Sequence, residues 1–487
     1  MILCSSSQKK KRKGWSQTVT TLMNNPKALL GLHISSKVAF LLLLFLTGCA
    51  SYVAQPLLPQ ELDQRMQSPS HEILMLEAAK LNHSRLNPIK LDFSQPLTED
   101  ELAVITVLTN PDLKALRTHQ GVAEAQIFSA GLLPDPQLSL ALDFPSNSDN
   151  GLVTAYNLGL NWALTTLVTR PVDKHIAIAK AVQVHYDIAW QEWLLSNQAR
   201  LLARRISYLQ RQLLLAQEAS NIARGLFTIT KQNVEAGDVK IDELSLRNVA
   251  FLDAQDRSLS LARDVEKTHQ ELNQTLGLGP DEKLVLAPVV YDTSIETSDA
   301  AVLFANARQK RLDLLALMAG YESQEASLYR AVLGQYPGFS LGLGTARDTS
   351  NVHTQGISVG FDIPIFNRNR GNIAIANSTR EQLHVEYATR LQQTRADIAT
   401  LVADIQRIEQ ERLPLLQELP ELVREENVLS VAAQNRDVTL INYETVRASL
   451  LDKQLKLLSL EQALAEQQIA LQISVGSPLN HRLRPPL

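Results

Sequence analysis

Cysteine is almost missing: the 487 residues contain two, Cys4 and Cys49, both near the start. Once an N-terminal export segment is removed only Cys49 remains, so an intramolecular disulfide or a thiolate metal site is excluded. Catalytic patterns are missing as well. There is no His-x-x-x-His, no Gly-rich phosphate loop and no nucleophile elbow, and His175, His185, His269 and His353 stand singly, which argues against an enzyme and a bound metal or organic cofactor. A membrane-spanning helix is missing near the N-terminus: the apolar run Val38 to Leu46 has nine residues, about 14 Å of helix against a hydrocarbon core of about 30 Å. Glycine is missing from two long stretches, 160–224 and 372–475, which favours long uninterrupted helices.

Acidic residues are missing from the first 48 positions, which carry seven Lys or Arg before the apolar run. That order is a cleaved export signal over 1–48, and counted from Met23 it has ordinary length. Its end, Leu46-Thr47-Gly48-Cys49, resembles a bacterial lipobox. The resemblance implies a diacylglycerol and an acyl group on Cys49, with Ala50 in second position permitting transfer to the outer membrane. Residues 49–98 then form an N-terminal lipidated segment. Removing the seven leaves 40 basic against 51 acidic residues, a net charge of −11, which argues against a nucleic-acid partner.

What is present is a repeat. "NPDLKALR" (110–117) matches "KRLDLLALM" (310–318), with Asp112 and Asp313, Ala115 and Ala316, and Leu116 and Leu317 each 201 apart. Pro136, Ser139, Leu140, Gly159 and Tyr186 pair with Pro337, Ser340, Leu341, Gly360 and Tyr387 at the same offset. Toward the end of each half the offset becomes 199, as in Asp238 with Asp437 and Gly277 with Gly476. The chain therefore divides into a first structural repeat (99–278), an equatorial linker (279–298), a second repeat (299–476) and a tail (477–487).

Each repeat reads as helix, two strands, very long helix, turn, helix. "PQLSLALDF" (136–144) and "TAYNLGLNWAL" (154–164) alternate apolar with small or polar residues, and "FSLGLG" (339–344) and "GISVGFDIP" (356–364) do the same, which is the hairpin pattern. Leu195, Ala199, Leu202, Ile206, Leu209, Leu213, Ala216, Ser220, Ala223 and Phe227 follow steps of four and three, with a parallel stripe at Leu194, Leu201, Tyr208, Leu215 and Ile222. The second repeat has Leu391, Thr394, Ile398, Leu401, Ile405, Ile408, Arg412, Leu415, Leu419 and Leu422. These heptads predict helices over 172–235 and 371–434, about 96 Å each, the second kinked at Pro414 and Pro420.

If the four strands lie in lipid, their sheet must close, and four strands are too few. Three chains give a shared twelve-stranded β-barrel continued into an α-helical barrel. At this point the sequence resembles the TolC-type outer membrane efflux family in its lipoprotein branch, through the lipobox, "AGLLPDPQLSLALDF" (130–144), "GISVGFDIPIFNRNRGNIA" (356–374), "NVEAGDVKIDEL" (233–244) and the duplicated plan. The resemblance implies a homotrimer in outer membrane lipid that serves as a passive exit duct. Its partners would be a periplasmic adaptor and an inner-membrane pump, the stretch "GLLPDPQLSL" favouring the resistance-nodulation-division (RND) type. It also makes the turns "EAGDVK" (235–240) and "QNRDVT" (434–439) the periplasmic tip. There Gly237 supplies a positive φ, Arg436 replaces the family's usual glycine, and Asn233 and Val234 stand where an aromatic is usual. Asp238 and Asp437 would form carboxylate rings, held shut by Arg436 or Lys240. A type I secretion duct and a non-pore coiled-coil spacer or adhesin are the alternatives.

Overall fold

In this computed structural model residues 52–65, 67–81, 83, 85–146, 151–288 and 299–478 are described. The signal segment, Cys49 and its lipobox, the linker residues 289–298 and the tail from 479 lie outside them. Residues 1–65 form one unit, whose described part is an irregular stretch leading into α1 (Pro59–Arg65), and residues 66–487 form a second.

The second unit opens with α2 (His71–Ala79), α3 (Glu99–Thr109) and α4 (Pro111–Ala130). Thr98 starts α3 with a reciprocal capping box, its hydroxyl accepting from the Glu101 amide while the Glu101 carboxylate accepts from the Thr98 amide. Asn110 caps α4 and Pro111 fills its first position, where a missing N–H costs nothing. Strands β1 (Gln137–Asp143) and β2 (Ala155–Ala163) lead into α5 (Thr165–Glu235) and α6 (Ile241–Leu276). The second half repeats the order with α7 (Ala300–Lys310), α8 (Leu312–Leu333), β3 (Gly338–Arg347), β4 (His353–Asp362), α9 (Arg370–Gln434) and α10 (Leu440–Val475).

Helix α5 has 71 residues and α9 has 65, about 107 and 98 Å. α5 begins before Pro171, seven residues earlier than its heptads predict, and α9 continues through Pro414 and Pro420. Both of these α9 prolines are exposed, so the carbonyls they leave unbonded can reach water.

The core is built twice. Leu102, Thr106, Ala199, Ile206, Leu272 and Leu276 are buried in the first half, and Leu303, Ala307, Ile398, Ile405, Leu471 and Val475 in the second. Members correspond at offsets of 201 and then 199. The far ends of α6 and α10 dock on the short-helix junctions in equivalent ways. Thr109 Oγ1 donates to the Leu276 carbonyl and Asn110 Nδ2 to Thr275 O at 2.9 Å, while Arg311 Nη1 donates to Ser474 O at 3.1 Å. Gly277 and Gly476 follow at φ +65° and +71°, where a Cβ would also meet the Thr109 carbonyl at 2.8 Å or the Arg311 backbone at 2.9 Å. Only glycine meets both demands. Residues 279–288 are tied down rather than free, since Leu97 bonds to Val285 O and Ala287 N, each at 2.8 Å.

The halves differ in how much they bury. Nineteen residues of α5 are buried but six of α9, and eleven of α10 but four of α6. α5 packs against α3, α4, α6, α8 and α10, whereas α9 packs against α7, α8 and α10. One side of α9 and one side of α6 are thus uncovered in a single chain.

Candidate functional site

The four strands form one antiparallel sheet in the order β1-β2-β3-β4. Directly paired residues share a face, so the register sorts the side chains. Leu138, Leu160, Leu343 and Ile357 make one row; Leu140, Leu158, Thr345 and Gln355 the next; and Leu142, Tyr156, Arg347 and His353 the row nearest the loops. Trp162, Leu341 and Val359, then Phe339 and Phe361, continue this face toward the helices. Leu138, Ile357 and Phe361 on it are 72%, 75% and 63% exposed.

The other face is small and polar, with rows Gln137–Asn161–Gly342–Ser358, Ser139–Gly159–Gly344–Gly356 and Ala141–Asn157–Ala346–Thr354. The hydroxyls of Ser139 and Ser340 lie 2.8 Å from where a Cβ on Gly159 or Gly360 would stand. These equivalent pairs explain why glycine recurs on that face. One face suits hydrocarbon and the other water. β1 and β4 are the edge strands, each with a single neighbour among the described residues, and their free N–H and C=O groups need partners if the sheet leaves water. Near the loops Arg347 stacks 5.4 Å from the Tyr156 ring centroid and donates to Thr154 O at 2.7 Å, while the Tyr156 hydroxyl lies 3.4 Å from His353 Nδ1.

At the opposite end of the rods two turns share one backbone solution. Asp238 N donates to Asn233 O at 2.9 Å and Gly237 N to Val234 O at 3.0 Å; Asp437 N donates to Ala432 O at 2.8 Å and Arg436 N to Ala433 O at 3.1 Å. Both are Schellman caps with the pivotal residue left-handed, Gly237 at φ +85° and Arg436 at φ +65°. Asp238, Lys240, Arg436 and Asp437 are all exposed, and among the described residues no ion pair joins them to one another. The structure brings Gly237 with Asp238, and Arg436 with Asp437, into equivalent turns.

Between turns and sheet lie polar clamps that the apolar heptads gave no hint of. Arg205 holds Glu466 through two hydrogen bonds of 2.8 and 2.9 Å, and Arg447 holds Glu218 at 2.6 Å, each joining α5 to α10. Burial pushes the Glu466 carboxyl up, but hydrogen bonds from Arg205 and Gln462 overcome this and hold it below the usual carboxylate range. Glu192 on α5 behaves alike: burial opposes ionisation, yet His83 and Arg117 bond both its oxygens and hold it low. His83 Nδ1 accepts from the amides of Arg85 and Leu86, which leaves Nε2–H to donate to Glu192. In the sequence Arg204-Arg205 and Glu192 are three among many polar residues of α5, and no local spacing singles out their distant partners.

No protein-family model matches the chain, and no curated protein does. Solved structures do. CusC is 18% identical with a TM-score of 0.63, covering 82% of this chain and 99% of that one. The outer membrane protein VceC of Vibrio cholerae is 15% identical at 0.63, covering 78% and 97%, and the CmeC outer membrane channel of Campylobacter jejuni is 15% identical at 0.63, covering 78% and 85%. The chain therefore shares the duplicated helix-and-strand fold of these outer membrane channels. More narrowly, the chain has the fold of the TolC-type outer membrane channels.

Proposed function

We propose that the chain is the outer membrane exit duct of a tripartite efflux pump. Residues 1–48 direct export, acylated Cys49 anchors the mature chain in outer membrane lipid, and three copies share a twelve-stranded barrel. The α-helical barrel reaches into the periplasm, where its turns meet an adaptor and an RND-type pump. The duct is a passive conduit, and the energy comes from the pump.

One observation carries this reading. A sheet with one apolar exposed face, one small polar face and two unpaired edges grows from helices of 71 and 65 residues. Strands of nine or ten residues, as β2, β3 and β4 are, have the length a tilted membrane strand needs, about 9–11. The aromatic side chains Trp162, Phe339 and Phe361 lie at one end of the apolar face and Tyr156 at the other, as interfacial belts do. At the turns, Asp238 and Asp437 from three chains would form two carboxylate rings that favour cations, with Lys240 and Arg436 as their closing counter-charges.

The test is the native mass of the mature protein extracted from isolated outer membranes. A trimer is expected. A monomer would mean that the sheet cannot close and would sink the duct.

A further inference from the structure

The two halves pack by one plan, so an interface seen inside the chain specifies one that the chain leaves open. From Ala199 and Ile398 onward the long helices correspond at an offset of 199, as do α6 and α10: Ile206 with Ile405, Leu272 with Leu471 and Leu276 with Val475 occupy matching places in the two cores. Within the chain, α10 covers a second face of α5. That seam holds Tyr208 against Leu458 and Ala465, Arg205 against Glu466, and the Gln212 amide donating to Gln462 at 2.9 Å.

Shifting every member by 199 replaces α5 with α9 and α10 with α6. Leu451 and Leu458, 4% and 7% exposed, become Leu252 and Leu259, 51% and 56% exposed. Arg205 and Glu466 become Asp404 and Lys267. Gln212 and Gln462 become Glu411 and Arg263. Tyr208 and Ala465 become Arg407 and Glu266. All three derived contacts join opposite charges. Among the described residues Arg263, Asp404, Arg407 and Glu411 have no ion-pair partner, and Lys267, with its side chain 74% exposed, reaches Glu271 only at 3.8 Å.

We propose that α6 of one copy packs on α9 of the next through the pairs Lys267–Asp404, Arg263–Glu411 and Glu266–Arg407, and that these pairs set the order of helices around the ring. The inference rests on the trimeric duct reading. Polarity at the first pair is reversed relative to the internal seam. Placing α10 on the open face of α9 would set Glu466 against Asp404, and placing α6 on the second face of α5 would set Lys267 against Arg205. Like charges thus bar the two seams from exchanging helices, and the contact is head-to-tail, which closes a ring.

Charge reversal tests this on the full mature chain, read as the trimer fraction by native mass spectrometry across a dilution series. Lys267→Glu and Asp404→Lys singly should each shift the dissociation concentration by roughly tenfold or more, since every ring contains the pair three times. The double variant should recover most of that loss, and raised salt should shrink the difference. Arg263→Glu and Glu411→Arg form an independent second cycle should either first-pair variant fail to fold. Singles that leave the trimer unchanged, or doubles no better than the worse single, overturn the seam while the duct stands. A monomeric wild-type protein removes the duct and the seam together.

Discussion

Arg436 carries φ +65° at the position where its counterpart Gly237 carries +85°. A side chain in the left-handed region costs about 1–2 kcal/mol, and glycine returns part of that as lost chain entropy. Arg436→Gly should therefore stabilise the α9–α10 turn by about 0.5–1 kcal/mol, seen as slower amide exchange at Asn435 to Asp437. Unchanged exchange would mean that the strain is relieved elsewhere. Glu466 supplies a pH test. Its carboxyl titrates lower in the folded chain, so its contribution is complete above the usual carboxylate range and is lost as pH falls through the folded value. Glu466→Gln should cost about 2 kcal/mol at neutral pH, and the gap to wild type in thermal midpoint should close in acid. A gap that persists there would show that packing, and not charge, holds Arg205. The turn was readable from the sequence because Asp238-Val239 and Asp437-Val438 repeat. The clamp was not, because it joins residues 261 positions apart whose spacing follows no local period.

At the scale of elements, burial follows neighbours more than composition. α6 and α10 both have 36 residues, yet only α10 is enclosed on two sides, so equivalent leucines differ in what they tolerate. Leu252→Lys should leave the monomer folded and weaken assembly, whereas Leu451→Lys should cost about 3 kcal/mol or more through an unpaired buried charge. Circular dichroism and gel filtration separate the two outcomes, and loss of helical signal in Leu252→Lys would mean that its face is already covered within the chain. The helices themselves were legible, since heptads and glycine-free stretches mark α5 and α9. The start of α5 was misplaced because Pro171 reads as a boundary, whereas α5 already has six residues ahead of it. α3 shows no stripe because it is buried all round, among α2, α5 and α6.

Across residues 66–487 the duplicated plan could be read from offsets of 201 and 199, but the sheet that unites the halves could not. Nothing in the alternation of β2 or β3 says that they pair with each other. Tyr156 nevertheless lies opposite Arg347, and Ala163 opposite Ser340. Between those strands run α5, α6, α7 and α8. The β1–β2 and β3–β4 hairpins are local and can form in microseconds, whereas β2 must wait until four intervening helices have folded back and delivered β3 to its side. By contact order, the β2–β3 pairing is expected to follow the local hairpins and helices. Pairing joins the edges of β2 and β3 and leaves the apolar face open, since Leu138, Ile357 and Phe361 stay 72%, 75% and 63% exposed in the completed sheet, so whatever covers that face comes from outside the single chain.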